Sequence, residues 1–195
     1  MAGRWLFLLV ESARVLRSVV LVCCLGVVWG CSPAYNWREV RAPAAPVVAL
    51  MPCKPETAER VLPMLGPDSP PVAVTLWSCE TQGVRFALAL APLPQAAAPE
   101  GVLRVWQRAA WAAVGRPASD ALAPPAGWRE VQAPFAGVVH ASRASGPGVD
   151  HRGAVLQAHL AWAVQPGWVV QAAVYADRVA DDVVDTFFTG VRFAQ

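Results

Sequence analysis

The sequence has few charged residues and, over most of its length, no excess of either sign. Charged side chains make up 15% of its 195 residues, whereas hydrophobic residues make up 55%. The first thirty residues hold three arginines and one glutamate, which leaves 13 basic and 13 acidic groups in the remainder. A neutral remainder has no basic stripe to displace phosphate counterions, which argues against a nucleic-acid partner. The apolar content argues against disorder, and the length suits one domain.

The short motifs that mark common catalytic and metal sites are also missing. There is no nucleophile elbow, P-loop, dinucleotide-binding glycine motif, zinc-protease motif or EF-hand loop. Asp150 and His151 could form a dyad with Ser142 or Ser145, but a glycine-rich turn orients such a dyad poorly. We therefore predict no catalytic residue, no cofactor and no metal site, and expect a non-enzyme.

Two other groups of polar residues have simple structural interpretations. His159 falls on the polar face of a predicted strand, which favours an exposed or hydrogen-bonded histidine over a metal ligand. An acidic group could bind calcium, but aspartates at a helix start explain it more simply. That group comprises Asp177, Asp181, Asp182 and Asp185.

No apolar run near the N-terminus is long enough to span a bilayer. Residues 18–30 contain no charge, but these thirteen residues fall short of the roughly 20 that a transmembrane helix needs. They match the apolar region of a secretory signal and follow Arg14 and Arg17. We predict a cleaved signal peptide at residues 1–30, with a retained N-terminal helix as the alternative.

The end of this run resembles a bacterial lipobox, in the order Val28-Trp29-Gly30-Cys31. The resemblance implies cleavage after Gly30, a diacylglycerol thioether on Cys31 and acylation of the new amino terminus. Trp29 is bulkier than the usual residue, and the alternative is that these are ordinary signal residues. Ser32 in place of aspartate implies the outer membrane, facing the periplasm. The protein would then be bound to a membrane through lipid.

Outside the signal and the proposed lipid site, two cysteines remain. Cys53 and Cys79 form an even pair in a chain predicted to be exported, and the periplasm is oxidising. We predict a disulfide between them. A metal pair and two free thiols are the alternatives, although no Cys-x-x-Cys or nearby histidine supports a metal.

The remaining chain divides into a tether at residues 31–46 and one domain at residues 47–195. Hydrophobic periodicity and turn residues predict an order of strands, helix, strands, helix and strand. Residues 57–65 are ambiguous between helix and strand. The predicted strands are Val47–Met51, Val72–Glu80, Val84–Ala91, Trp128–Phe135, Val138–Ala144, Ala154–Val164, Trp168–Ala176 and Val191–Ala194. The predicted helices are Glu100–Val114 and Asp181–Thr189, and Gly146-Pro147-Gly148 is a predicted turn. This pattern indicates an α+β fold, with a largely antiparallel sheet covered by two helices.

Tryptophan is abundant, which raises the question of a sugar-binding surface. Most of the domain's tryptophans fall on predicted buried faces, so core packing is the better interpretation. Trp111 is the exception, because it lies off the helix stripe that Val102 and Trp106 define. The six are Trp77, Trp106, Trp111, Trp128, Trp162 and Trp168.

Several short segments resemble a group of uncharacterised lipoproteins from betaproteobacteria. They are residues 31–41 (CSPAYNWREVR), 52–55 (PCKP), 78–80 (SCE) and 186–193 (TFFTGVRF). The group has no assigned activity, so the resemblance brings no catalytic residues to this chain. More weakly, the order of elements is similar to the PsbP/Mog1-like fold, which serves mostly as a binding or assembly module.

These observations predict a membrane-anchored periplasmic lipoprotein that acts as a non-catalytic binding or envelope-assembly module. Its partner would be an envelope protein or a cell-wall component. A periplasmic hydrolase with a site built from scattered residues is the alternative from another class, and a purely structural lipoprotein is a third.

Overall fold

Ten strands and two helices make up the part of the chain that the computed structural model describes, residues 34–66, 69–95, 97–116, 123–135, 138 and 140–194. The strands are β1 (Arg38–Arg41), β2 (Val47–Met51), β3 (Glu56–Leu62), β4 (Val72–Thr81), β5 (Val84–Pro92), β6 (Arg129–Val131), β7 (His140–Val149), β8 (Val155–Gln165), β9 (Trp168–Ala176) and β10 (Arg192–Phe193). The helices are α1 (Pro99–Ala113) and α2 (Asp181–Thr189). The predicted signal peptide and Cys31 lie outside the described residues.

Seven of the strands form a central sheet in the order β3-β4-β5-β9-β8-β7-β6, and three form a small sheet in the order β1-β2-β10. Every described pairing is antiparallel. The predicted α+β class with a largely antiparallel sheet is therefore confirmed. No described helix is both long and apolar enough to cross a membrane.

The two helices lie on opposite faces of the central sheet. Side chains alternate between faces along a strand, and the buried residues of β5 divide accordingly. Phe86 and Leu88 join a core with Phe187 and Phe188 of α2, to which the small sheet also contributes. Ala89 and Ala91 join a second core with Trp106 of α1.

Two tight turns connect neighbouring strands of the central sheet, each between two strands that the sequence predicted. Gln82 and Gly83 connect β4 to β5 with φ values of 54° and 71°, the left-handed pair that a type I′ turn requires. Pro166 and Gly167 connect β8 to β9, and Gly167 has a φ of 85°. The ambiguous segment at residues 57–65 belongs largely to an edge strand, β3.

Within the predicted tether, residues 31–46, the part from Tyr35 onward belongs to the folded domain. The backbone N–H of Asn36 donates to the carbonyl of Pro52 at 2.8 Å, and β1 pairs with β2 from Arg38 onward. The rings of Tyr35 and Trp37 pack edge-on against Phe86. The prediction of a tether failed because a segment rich in proline and alanine, with little periodicity, gave no pattern that indicates the four-residue strand β1.

The predicted turn at Gly146-Pro147-Gly148 is wrong, because these residues continue β7. Proline lacks an N–H, but the backbone nitrogen and carbonyl of residue 147 face away from β8, so the proline removes no hydrogen bond between β7 and β8. The carbonyl of Pro147 accepts from Nε1 of Trp128, and the N–H of Val149 donates to the carbonyl of Val114. The glycines provide the space for these neighbours. The predicted strand Trp128–Phe135 is correspondingly short, with only Arg129–Val131 paired to β7.

The predicted disulfide is present. Cys53, just after β2, is bonded to Cys79 of β4, with 5.9 Å between their Cα atoms. The bond joins the small sheet to the central sheet at the end where β5 begins. We refer to this region, residues 52–56 and 78–85, as the disulfide end.

Candidate functional site

A cleft opens at the end of the central sheet opposite the disulfide end. It has a volume of about 640 Å³ and lies between the start of α1, the start of β7 and the β8–β9 turn. Its lining is mostly apolar, with three prolines. The lining residues are Leu93, Pro94, Gln95, Ala97, Pro99, His140, Val164, Gln165, Pro166 and Gly167.

His140 is the only titratable residue among those that line the cleft, and a carboxylate lies beside its ring. Nδ1 of His140 lies 3.2 Å from Oε1 of Glu100, in the first turn of α1. This contact is an ion pair when the imidazole is protonated. The imidazole is 35% exposed, so a bound molecule can reach it.

A second polar contact between α1 and β7 lies beside this pair. Nε2 of Gln107 donates to Oγ of Ser142 at 2.8 Å. Glu100 and Gln107 are seven residues apart on α1, and their partners are two residues apart on β7. Both contacts therefore lie on the same side of the helix and of the strand. Together they form what we name the α1–β7 seam, made of Glu100, Gln107, His140 and Ser142. The seam joins α1 to β7 beside the cleft.

The dyad that the sequence argued against is not assembled, because Asp150, Ser142 and Ser145 have separate partners. Oδ1 of Asp150 accepts the backbone N–H groups of Arg152 and Ala154, both at 2.8 Å. These two hydrogen bonds, that of Ala154 first, lower the pKa of the Asp150 carboxyl. Oγ of Ser142 accepts from Gln107 in the seam. Oγ of Ser145 accepts from Nε of Arg129 at 3.4 Å. Asp150 therefore stabilises the β7–β8 turn rather than orienting a catalytic histidine.

His159 lies on the α2 face of the sheet, beside a cavity of about 490 Å³ at the start of α2. His159 is half-buried. The prediction was an exposed or hydrogen-bonded histidine, and the structure agrees with it in that the side chain remains partly accessible. The pKa of His159 is lowered, mainly by burial and next by the positive charge of Arg143. Asp181 and Asp185 act in the opposite direction.

The predicted acidic group is dispersed at the start and along the side of α2. Oδ1 of Asp185 accepts from Arg143 at 2.9 Å, and the guanidinium of Arg143 also covers the ring of Phe188 at 4.7 Å. Asp182 accepts the N–H of Val183. Within the described ranges, no group of three histidines, cysteines, aspartates or glutamates could hold a metal ion.

Five of the six tryptophans are at most 8% exposed, and Trp168 is half-buried. The core interpretation is confirmed for Trp77, Trp106, Trp128 and Trp162. Trp111, which was set apart because it lies off the stripe of Val102 and Trp106, is buried as well, with only 2% exposed. The apolar stripe of α1 is wider than predicted and includes Trp111. The indole of Trp111 packs edge-on against Trp128 and Trp162.

The seam is the feature that sequence reasoning missed. Glu100 and His140 lie 40 positions apart, and neither belongs to a motif. Only the placement of α1 across β7 brings them together. A glutamate in the first helical turn is expected from the helix dipole alone, so it carried no signal of a site.

No family model, curated protein or solved structure matches the chain.

Proposed function

We propose that the chain is an exported binding module of the cell envelope, anchored by lipid on Cys31, which takes an apolar ligand into the His140 cleft. The observation that supports binding is the lining of the cleft. Its volume of about 640 Å³ falls in the range of small-molecule sites. Its ten lining residues include no hydroxyl, thiol, amine or carboxylate that could act as a nucleophile.

The chemistry of His140 narrows the ligand class. Nδ1 faces Glu100, which leaves Nε2 to form a hydrogen bond with the occupant. The prolines and the aliphatic residues favour an apolar body. The ligand is therefore an apolar molecule, or an apolar side chain of an envelope partner, that carries one hydroxyl or amide N–H.

The Cys53–Cys79 disulfide supports the proposed compartment. Disulfides persist in oxidising compartments such as the periplasm and are rare in the cytosol. The lipobox at Val28–Cys31 supplies the anchor, and Ser32 favours the outer membrane in this proposal. The domain would face the periplasm, where envelope proteins and cell-wall components are available as partners.

Binding is tested with N-phenyl-1-naphthylamine, a neutral apolar fluorophore that carries one N–H. We expect its fluorescence to rise saturably with the purified protein. His140→Ala should weaken binding by about tenfold, the equivalent of one hydrogen bond of about 1.4 kcal/mol. His151→Ala, an exposed histidine in the β7–β8 turn, is the matched control and should bind like the unmodified protein.

Two results would contradict this proposal. One is a fluorescence rise that does not saturate, because a specific cleft has a finite capacity. The other is equal affinity of the His140→Ala and His151→Ala variants, because the probe would then occupy a different surface.

The alternative function, a periplasmic hydrolase, is favoured by one observation. A carboxylate that orients a histidine is the arrangement of a general base, and Glu100 and His140 form such a pair. Water would have to be the nucleophile, since the lining residues supply none. Turnover of an ester or glycan substrate that is lost in His140→Ala and retained in His151→Ala would favour the hydrolase over the binding module.

A further inference from the structure

The folded domain begins very close to the proposed lipid site. Tyr35 already packs on Phe86, and Asn36 is hydrogen-bonded to Pro52. Four Cα–Cα steps separate Cys31 from Tyr35, and even fully extended they span at most about 14 Å. A tether that ran to residue 46 would have spanned roughly 50 Å and left the domain free to turn over.

The attachment point lies at the disulfide end. Phe86, which Tyr35 contacts, is directly opposite Cys79 in the β4–β5 register and is the third residue of β5. Pro52, the partner of Asn36, directly precedes Cys53 of the disulfide. The contacts of Tyr35 and Asn36 therefore place the start of the domain at this end of the central sheet.

The His140 cleft lies at the other end of the same strands. β5 and β9 pair from Arg85 opposite Tyr175 to Pro92 opposite Trp168, and Leu93 follows as a lining residue of the cleft. From Phe86 to Pro92 there are six residue steps, or about 20 Å along the strand.

We infer that the anchored protein rests with its disulfide end against the lipid surface and presents the His140 cleft away from it, so that the cleft is filled from the aqueous periplasm and not from the anchoring bilayer. An inverted domain would raise Tyr35 about 20 Å above the surface. The segment from Cys31 reaches only about 14 Å, so the inverted orientation is out of reach. This inference rests on the proposed lipid on Cys31.

Charge does not orient the domain in place of the tether. The disulfide end carries Lys54 and Arg85 but also Glu56 and Glu80, which line the same cavity of about 540 Å³. Balanced charges give no net attraction to anionic headgroups. The orientation should therefore be the same on neutral phosphatidylcholine vesicles, which makes these the membrane of choice for the test.

The sequence offers a natural reporter for the experiment. Lys54 is its only lysine and is exposed at the disulfide end. An amine-reactive fluorophore therefore labels this position in the membrane-purified protein. A Lys54→Arg, Gln95→Lys double variant moves the amine to an exposed residue of the cleft, and Lys54→Arg alone measures background labelling.

Each labelled protein is reconstituted into phosphatidylcholine vesicles that carry a nitroxide on part of the headgroups. We expect a larger loss of fluorescence at position 54 than at position 95. Equal loss at the two positions, or a larger loss at position 95, would overturn the orientation while leaving the anchor intact. An intact mass showing Cys31 unmodified would overturn the anchor and the orientation together, so the two failures are distinguishable.

Discussion

The indole of Trp128 lies against the backbone of Gly146, and its Nε1–H donates to the carbonyl of the next residue, Pro147, at 3.0 Å. The Gly-Pro-Gly segment of β7 thus receives an aromatic ring where a side chain would otherwise project. Two residues further on, a Cβ at Gly148 would come within 2.8 Å of Cβ of Val114. The glycines of β7 bring the end of α1 and Trp128 onto the sheet.

Gly146→Ala should destabilise the protein, because the added methyl group overlaps the Trp128 ring. Overpacking of this kind costs about 1–3 kcal/mol. The matched control is Gly101→Ala in α1, where the new Cβ finds ordinary contacts and helix propensity adds up to about 1 kcal/mol. Urea denaturation should show a lower midpoint for Gly146→Ala only; equal midpoints for the two variants would contradict the packing described.

Trp162→Phe should be more destabilising than Trp111→Phe, although both residues are buried. Nε1 of Trp162 donates to Oε1 of Gln171 at 2.9 Å, whereas Nε1 of Trp111 has no acceptor among the described residues. We expect a difference of about 1 kcal/mol in the free energy of unfolding, because only the first variant removes a hydrogen bond and leaves the partly buried acceptor of Gln171 unpaired. The reverse order in thermal denaturation would argue against this hydrogen-bond arrangement.

Reduction of the Cys53–Cys79 bond should weaken the fold. The bond closes a loop with a sequence separation of 26, for which the chain-entropy model gives about 3.5 kcal/mol. Urea unfolding of the mature protein with and without reductant measures this contribution. Unchanged stability on reduction would mean that the bond does not constrain the unfolded chain.

Stability should decline as the pH falls below about 6.5, in part because of His159. Burial lowers the pKa of His159 from its ordinary value of 6.5, so the unfolded chain binds a proton more readily than the folded one. The free energy of unfolding therefore decreases from pH 6.5 downward, until the folded histidine is protonated as well.

The variant that tests this is His159→Gln, which removes the titratable imidazole but keeps a polar side chain. Its melting temperature should fall less between pH 7.5 and pH 5 than that of the unmodified protein. His151→Gln, at an exposed turn position, serves as the control and should keep the original decline. An identical decline in all three proteins would exclude His159 as the cause.

Local patterns predicted the elements whose signals are local. The turn glycines at positions 83 and 167 marked both central hairpins, and α2 was predicted with its observed bounds, Asp181–Thr189. Within these segments, alternation and turn chemistry agree with the tertiary structure. The Cys53–Cys79 pair was predictable as well, because no other cysteines remained in the proposed mature domain.

Elements that depend on distant neighbours could not be read from the sequence. Pro147 breaks a strand locally, and only the approach of Trp128 and Val114 explains why β7 continues through it. β1 looked like a linker because its partner, β2, and its aromatic contact, Phe86, are separate in sequence. The Glu100–His140 pair depends on a helix crossing a strand, which no spacing rule encodes.

The small sheet has a consequence for the order in which the chain can fold. Its middle strand, β2, pairs with β1 near the start of the domain and with β10 at Arg192 and Phe193. Glu39 and Arg192, 153 positions apart, also form an ion pair. The small sheet can therefore close only after β10 has been made and has met β2. For a chain synthesised from its N-terminus, closure of this sheet is a late step, whereas the strands of the central sheet are complete once β9 has been made.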